Sequence, residues 1–215
     1  FKQRGDMEMN YNGSAVSEGI AIGKVFRYQP FQPLVEEKKI NDEDVETNLI
    51  LYKDICNRSK VKLNAIIKSL EIKDESKSKI FQAHMDILDD VVLTEDIISS
   101  ITNKNYSPDW AVYSTFERYI KIIEKTDNQI IRERVADLVD VRNRLLKEWY
   151  HVDNNSLNNL DEPIILVAHD LLPSDTATLD KSKVLAIINE IGGNTSHTAI
   201  LARSFRIPAI LGVQG

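Results

Sequence analysis

Residues 192–203 read Gly-Gly-Asn-Thr-Ser-His-Thr-Ala-Ile-Leu-Ala-Arg, a paired-glycine turn followed by one histidine at the expected start of a helix. The preceding run 184–190, Val-Leu-Ala-Ile-Ile-Asn-Glu, has the continuous apolar character of a short buried strand. From Thr195 to Phe205 the pattern indicates a helix. The sequence therefore predicts a strand, a loop and a helix, with His197 in the first helical turn.

This position suits a histidine that acts as a nucleophile. The amide N–H groups and the positive dipole end of a first helical turn attract anions and disfavour an imidazolium. A neutral imidazole can attack phosphorus, and the same amides can then accept the charge of a phosphoryl group. We interpret Thr195 and Ser196 as caps and as hydrogen-bond donors that would stabilise the phosphoryl group. The alternative is an ordinary capped turn with an exposed histidine, and the residues alone leave both open.

The stretch 192–203 resembles the phosphohistidine signature of the phosphoenolpyruvate-utilising enzymes at every defined position. That family includes enzyme I of the bacterial phosphoenolpyruvate:sugar phosphotransferase system, pyruvate phosphate dikinase and phosphoenolpyruvate synthase. The resemblance implies that His197 carries a phosphoryl group on Nε2. In-line attack would then be assisted mainly by positioning and charge stabilisation.

Two further segments are similar to enzyme I in particular. Residues 168–177, Ala-His-Asp-Leu-Leu-Pro-Ser-Asp-Thr-Ala, resemble the segment that precedes the active histidine, and this implies that Thr176 hydrogen-bonds the imidazole or its phosphoryl group. Without the resemblance, Ser174 would cap a helix of ordinary residues. Residues 13–26 resemble the enzyme I opening strand, to which Ile20, Ile22 and Val25 would contribute apolar side chains.

Residues 41–148 differ in composition, with no glycine, a single proline at 108 and apolar residues at helical spacing. Asn41 or Asp42 can cap a long first helix that runs to about Leu70. Further helices are predicted around 80–88, 92–101 and 110–123, and the apolar pattern resumes after the polar residues 126–129. Four or five helices joined by short turns indicate antiparallel hairpins packed as a bundle.

A helical bundle inserted between an opening strand and an α/β half is the arrangement of enzyme I, where it binds the small carrier protein HPr. By the resemblance, the candidate partner contacts are Glu75, Lys77, His84, Ile87 and Arg134. For each the alternative is a solvated helix face, and for His84 a histidine at a helix–helix seam. The sequence departs from the family pattern at Gln82, Asp86 and Val91, which leaves the identity of the partner surface open.

The composition suits a cytoplasmic carrier protein. The 215 residues are 42% hydrophobic and 28% charged, which is enough for two small subdomains. A net charge of −6 argues against nucleic acid and anionic membranes as partners and suits a basic partner such as HPr. The single cysteine, Cys56, cannot form an intramolecular disulfide and is predicted to pack in the core. No signal peptide or membrane span is visible in the sequence.

Metal and hydrolase sites are not predicted. The four histidines share no close spacing, and Cys56 has no second thiol near it. Thr195, Ser196 and His197 are adjacent, so their side chains diverge on a helix and cannot form a nucleophile–base pair. Arg203 lies six residues beyond His197, off the histidine's face, and we expect it to form a structural or interfacial ion pair.

The predicted fold is an α/β phosphohistidine domain of the swivelling type with an inserted all-α bundle of antiparallel helical hairpins. We expect a tail at 1–10, a discontinuous α/β domain at 11–33 and 152–215, and an HPr-binding helical domain at 34–151. By the resemblance, enzyme I continues into a barrel that binds phosphoenolpyruvate and magnesium and forms the homodimer. The resemblance therefore implies a monomeric piece of an enzyme I-type phosphotransferase that needs no cofactor of its own and cannot use phosphoenolpyruvate alone.

Two other functions fit the sequence. One is the enzyme I-like module of the dihydroxyacetone kinase phosphocarrier subunit, in which residues before 11 would be a linker. The other is a non-catalytic domain that binds a partner through the bundle without transferring phosphate. Intact His197 and Thr176 argue against the second alternative.

Overall fold

A computed structural model describes residues 10–71, 75–152, 157, 160–177, 179–194 and 196–214. The predicted tail 1–10 lies outside this part, except for its last residue. The helices are α1 (Val45–Glu71), α2 (Glu75–Leu88), α3 (Val91–Thr102), α4 (Pro108–Glu124), α5 (Gln129–Tyr150), α6 (Pro173–Ala177) and α7 (His197–Phe205). The strands are β1 (Ser14–Ser17), β2 (Lys24–Tyr28), β3 (Ile164–Ala168), β4 (Val184–Asn189) and β5 (Ala209–Leu211).

The chain divides into two compact units. A helical unit contains Phe31–Asn155 and Leu172–Thr178, and a sheet unit contains Phe1–Pro30, Ser156–Leu171 and Leu179–Gly215. An α/β part with an inserted helical bundle confirms the predicted fold class. The division differs from the predicted domain boundaries at α6, which belongs with the bundle although it lies between two strands of the sheet in sequence.

The helical unit is a bundle in which α1 packs on α2 and α4 packs on both α3 and α5. Its core is built from the apolar stripes that the sequence predicts, with Leu63, Phe81, Ile101, Phe116 and Val141 fully buried. Apolar burial on this scale is the main stabilising term of such a bundle. Ala177 of α6 is part of the same core.

The helix boundaries of the bundle follow ordinary end chemistry. The α3 helix is capped by Asp90, whose carboxylate accepts a hydrogen bond from Leu93 N at 2.7 Å. Pro108 begins α4, where its missing N–H costs no hydrogen bond. A 3₁₀ turn at Asp42–Asp44 precedes α1, and Asn41 lies at its cap position without making the predicted side-chain cap bond.

The sheet unit contains a five-stranded sheet in the order β1-β5-β4-β3-β2 among the described residues. Strands β2, β3, β4 and β5 are parallel, and β1 pairs with β5 in the antiparallel sense. The inner strands β3 and β4 are almost entirely apolar, as expected for parallel strands with covered faces. Helix α7 packs against β1 and β5.

The opening segment forms two strands where the sequence predicted one. Strands β1 and β2 lie at opposite edges of the sheet, so residues 18–23 connect the two edges. Ile20 and Ile22 lie in this connection and are 94% and 91% exposed, which corrects their prediction as apolar strand residues. Gly19 has a φ of 145°, a conformation that a side chain would disfavour.

Candidate functional site

His197 is the first residue of α7, at the carboxyl end of the parallel strand β4. Ser196 is the N-cap residue: its backbone is extended, and its Oγ accepts a hydrogen bond from Ala199 N at 3.2 Å. Ile200 N donates to Ser196 O at 3.1 Å and closes the first helical bond. This geometry agrees with the predicted strand, loop and helix, and it puts a half-buried imidazole at the helix end that favours anions.

The loop before His197 is tied to the sheet at its start. Glu190 N donates to Ala168 O and Ile191 N donates to His169 O, each at 3.1 Å. Gly192 has a φ of 114°, so this turn needs glycine at its first position. The loop then closes through a hydrogen bond of 3.0 Å from Ser196 N to Gly193 O. The start of α7 is therefore held by backbone bonds on both sides of the glycine pair.

Among the described residues, the contacts of Arg203 are hydrogen bonds to main-chain oxygens and not the predicted ion pair. Its guanidinium donates to two backbone carbonyls, Asn194 O at 2.8 Å and Val16 O at 3.5 Å. Arg203 lies six positions beyond His197, but its long side chain reaches back to the loop that precedes the helix. The structural role was expected, whereas its acceptors are main-chain oxygens.

Sequence reasoning missed two polar pairs at this edge of the sheet. His169 Nδ1 lies 2.7 Å from Glu190 Oε2, and the pair joins the residues that follow β3 and β4. Asn189 is fully buried at the end of β4 and donates to Thr198 Oγ1 at 3.5 Å. A buried asparagine at the end of an apolar strand is the signal that could have revealed the second pair. Nearby, burial raises the pKa of Asp170, an effect only partly offset by its hydrogen bond from Leu171 N.

Thr176 lies on α6, in the helical unit. Its hydroxyl donates to Pro173 O at 2.9 Å, and the side chain is fully buried. The helix begins at Pro173, so Ser174 is inside α6 and is not the cap considered from the sequence. Instead, Ser174 N and Ser174 Oγ each donate to the carboxylate of Asp140 on α5, both at 2.7 Å.

The predicted partner contacts on α2 differ in exposure. Glu75 is exposed at the start of the helix, and the hydrogen bond and charge of Lys79 lower its pKa. Lys77 is half-buried. Ile87 is half-buried and packs against the bundle core. Gln82 and Asp86, where the sequence departs from the family pattern, hydrogen-bond each other at 3.1 Å.

His84 is completely buried, so a direct contact with a partner is not available to it in this structure. Its Nε2 lies 3.3 Å from Asp137 Oδ1 and 3.9 Å from Asp140 Oδ2, both on α5. Asp137 also pairs with the exposed Arg134 at 3.3 Å. His84 thus occupies the helix–helix seam considered as its alternative, and Arg134 lies at the surface end of the same polar group.

Thr195 lies outside the described residues, so its role as a phosphoryl-stabilising residue stays a prediction. Within the part of the chain that the structure describes, no group of three or more His, Cys, Asp or Glu side chains is arranged to hold a metal ion. The helices of that part are all too short or too polar to span a membrane. Cys56 is half-buried beside the bundle core, and burial raises the pKa of its thiol.

Two segments of the sequence match known protein families. Residues 12–134 match the family described as PEP-utilising enzyme, N-terminal, where PEP is phosphoenolpyruvate. Residues 160–215 match the family described as PEP-utilising enzyme, mobile domain. The second match contains His197, its cap and the loop held by Arg203.

Curated relatives are named phosphoenolpyruvate-protein phosphotransferase. The protein of Listeria monocytogenes is 38% identical over 210 residues, which cover 97% of this chain and 36% of that protein. The protein of Buchnera aphidicola is 35% identical over 204 residues, which cover 94% of this chain and 35% of its own length. The chain therefore spans about a third of the length of these relatives.

Solved structures show the same architecture. An NMR solution structure of Enzyme I (nEIt) has a TM-score of 0.78 and 34% identity, over 94% of this chain and 82% of that one. A structure described as the N-terminal domain of Enzyme 1 - Nitrogen shares the fold alone, at a TM-score of 0.59 and 19% identity. The match over residues 12–134 covers more than half of the sequence, and the chain therefore belongs to the family described as PEP-utilising enzyme, N-terminal.

Proposed function

We propose that this chain carries a phosphoryl group on His197 and exchanges it with a histidine of the carrier protein HPr in the sugar phosphotransferase system. The observation that supports this most directly is the place of His197 as the first residue of α7, capped by Ser196, within the segment that matches the mobile domain. The relatives named phosphoenolpyruvate-protein phosphotransferase support it further and do not favour the dihydroxyacetone kinase alternative.

In the proposed exchange, the lone pair on Nε2 of neutral His197 attacks the phosphorus of phosphorylated HPr, while Nδ1 keeps its proton. The bond between phosphorus and the HPr histidine breaks, and its electron pair stays on that nitrogen. The HPr ring leaves as a neutral imidazole because its other nitrogen already carries a proton. The protein contributes by positioning the ring and by stabilising charge on the phosphoryl oxygens.

We assign the phosphoryl oxygens to the first-turn amides of α7 and to the hydroxyl of Ser196. Ser196 uses its oxygen as a cap acceptor, which leaves its hydroxyl hydrogen able to donate. Thr195 and Thr176 are included by the family resemblance. While Thr176 donates to Pro173 O, its oxygen can act toward another group only as an acceptor.

The proposed partner surface on the bundle consists of Glu75, Lys77, Ile87 and Arg134, with His84 acting from inside through Asp137. A chain with a net charge of −6 suits a basic carrier protein. By the same proposal the exchange takes place in the cytoplasm. By the family resemblance, the sites for phosphoenolpyruvate and magnesium and the homodimer interface would lie in the two thirds of the relatives that this chain does not cover.

The test is phosphorus NMR, with intact mass under mild conditions, after the chain is mixed with phosphorylated HPr. We expect a phosphohistidine signal in the wild-type chain that is absent from His197→Ala. His151→Asn is the matched control, because His151 is exposed at the end of α5 with a φ of 53°, which asparagine tolerates. Binding of HPr without any transfer would reject the relay and leave the non-catalytic function.

A further inference from the structure

The side chain of Arg203 reaches back along its own helix to the loop before the candidate site. It lies in the last turn of α7, and its guanidinium bonds the carbonyl of Asn194, which precedes the first turn of the same helix. Nothing in the proposed exchange uses Arg203 directly. Its two acceptors belong to two other segments, the glycine loop and β1, so one side chain joins three parts of the sheet unit.

The carbonyl of Val16 in β1 can accept this bond because the pairing of β1 with β5 is irregular there. The pairing of β1 with β5 shifts between Ala15 and Ser17, so Val16 falls where the ladder is interrupted. A bulge leaves its extra residue outside the regular ladder of hydrogen bonds. Val16 is also buried, and a buried carbonyl needs a partner. Arg203 supplies a donor at 3.5 Å, a long hydrogen bond that adds a polar link to the apolar packing of α7 on β1.

The bond from Arg203 to Asn194 O affects the charge that a phosphoryl group on His197 would meet. Asn194 lies three residues before His197, in the segment that leads into its helix. A carbonyl oxygen is the negative end of a peptide dipole, and one that pointed toward a phosphoryl group would repel it. The 2.8 Å bond turns the Asn194 oxygen to a guanidinium instead. Arginine suits this task because its planar fork can donate to two separate acceptors at once, which a lysine ammonium on a flexible stem does less precisely.

We propose that Arg203 is a positioning residue for phosphoryl transfer. It fixes the loop before His197 by bridging Asn194 O to Val16 O, and it acts through the orientation of that loop rather than by touching the phosphoryl group. The inference rests on the proposed function of His197.

Three variants test this role. Arg203→Gln removes the charge and the fork, whereas Arg203→Lys keeps the charge and removes only the fork. Arg206→Gln is the matched control, because it removes an exposed guanidinium from the residue that ends the same helix. Each is mixed with phosphorylated HPr well below its melting temperature, and the single-turnover rate of transfer is measured against HPr concentration.

We expect both Arg203 variants to lower the maximal transfer rate about tenfold or more, the loss typical of a charge-assisted hydrogen bond. The HPr concentration at half-saturation should stay unchanged, because the bundle surface is untouched. Arg206→Gln should transfer at the wild-type rate. A residue that only stabilises the fold would lower the melting temperature without slowing transfer by folded molecules.

Two outcomes would overturn the proposal. A wild-type rate in both Arg203 variants would show that the bridge has no role in transfer. Full rescue by Arg203→Lys would show that charge alone matters and that the bridge between two carbonyls does not.

A second measurement separates this inference from the proposed function. Nitrogen-15 NMR of the histidine rings reports the environment of His197 without any transfer reaction. If the wild-type chain accepts no phosphoryl group, the relay fails, but Arg203→Gln and Arg203→Lys should still shift the His197 ring signals while Arg206→Gln does not. Unchanged ring signals in both Arg203 variants would refute the positioning role independently.

Discussion

Two helices of this chain follow neighbouring parallel strands, yet they are held in opposite ways. Helix α7 follows β4 and is capped by the residue directly before it, since Ser196 Oγ accepts from Ala199 N. Helix α6 follows β3, but the residue before it is Leu172, which has no acceptor side chain. Its capping acceptor is the carboxylate of Asp140, from α5 of the bundle. One helix carries its own cap, and the other obtains it from residues far away in sequence.

The difference explains why α6 belongs to the helical unit. It has only five residues, too few to be stable without tertiary contacts. Two bonds of 2.7 Å to a carboxylate that is 4% exposed, and the burial of Ala177 in the bundle core, supply those contacts. A short helix can thus leave the unit that its neighbours in sequence belong to when its end groups are satisfied elsewhere.

The difference between the caps of α6 and α7 is tested most strongly by Asp140→Ala, which removes the cap of α6. The change removes the carboxylate that accepts from Ser174 N and Ser174 Oγ. It also takes away one of two carboxylates near His84 and one of two near Arg144. We expect the free energy of unfolding of the helical unit to fall by about 3 kcal/mol, the loss typical of a buried charged acceptor. Urea unfolding followed by far-ultraviolet circular dichroism measures it.

Ser174→Ala is the control for Asp140→Ala, because it removes the hydroxyl bond and keeps the bond from Ser174 N. We expect a loss of about 1 kcal/mol from this single hydrogen bond. Equal losses in the two variants would mean that packing, rather than the carboxylate cap, holds α6.

The loop before α7 is tested by its two glycines. An alanine at Gly192 would require a φ of 114° and would bring Cβ within 3.3 Å of Leu211 Cδ1 and Ser196 Oγ. We expect Gly192→Ala to lower the free energy of unfolding of the sheet unit by about 1–2 kcal/mol, the cost of a left-handed conformation. Melting temperatures of purified variants provide the measurement.

Gly193→Ala is the matched control, since a Cβ there would meet nothing within 4 Å. Its stability should stay the same or rise by about 0.5 kcal/mol, because alanine restricts the unfolded chain. A comparable loss at Gly193 would contradict the conclusion that the conformational requirement lies at Gly192.

The smallest expected effect is the pH dependence of the free energy of unfolding of the two units. Burial opposes ionisation of Asp137 in the bundle, but the hydrogen bond and charge of His84, with those of Arg134, lower its pKa overall. The stabilisation is therefore present above the ordinary carboxyl pKa of about 3.9 and is lost as the pH falls through the lower value of the folded state. Asp137→Asn should remove this part of the acid sensitivity.

Asp170 of the sheet unit should change the free energy of unfolding with pH in the opposite direction, because burial raises its pKa. Its contribution is most favourable below about pH 3.9 and declines as the pH rises through the raised value. Urea unfolding of Asp137→Asn and Asp170→Asn between acid and neutral pH gives both slopes. Slopes of the same sign would refute the assigned causes.

Much of the fold follows from local pattern. The apolar run that became β4, the helical spacing of the bundle, and the glycine pair before His197 all rest on residues adjacent in sequence or on one face of a helix. The cap role of Ser196 is predictable for the same reason. Local pattern did not reveal that β1 and β2 lie at opposite edges of the sheet, because strand pairing depends on distant partners.

The candidate site likewise has features that the sequence predicts and features that only the tertiary structure shows. By itself the sequence indicated the candidate nucleophile His197 and its place at a helix start, because both depend on one contiguous segment. It also carried the family to which the chain belongs, through a match over residues 12–134. Only the tertiary structure decided that Asp140 caps α6, that His84 lies inside a seam with Asp137, and that Arg203 bridges a loop to a strand bulge. The first two need polar groups from distant segments to meet where water is largely excluded, and burial sets the need to satisfy them. Arg203 is exposed, and its bridge depends on the packing that brings β1 next to α7. No local pattern encodes either condition.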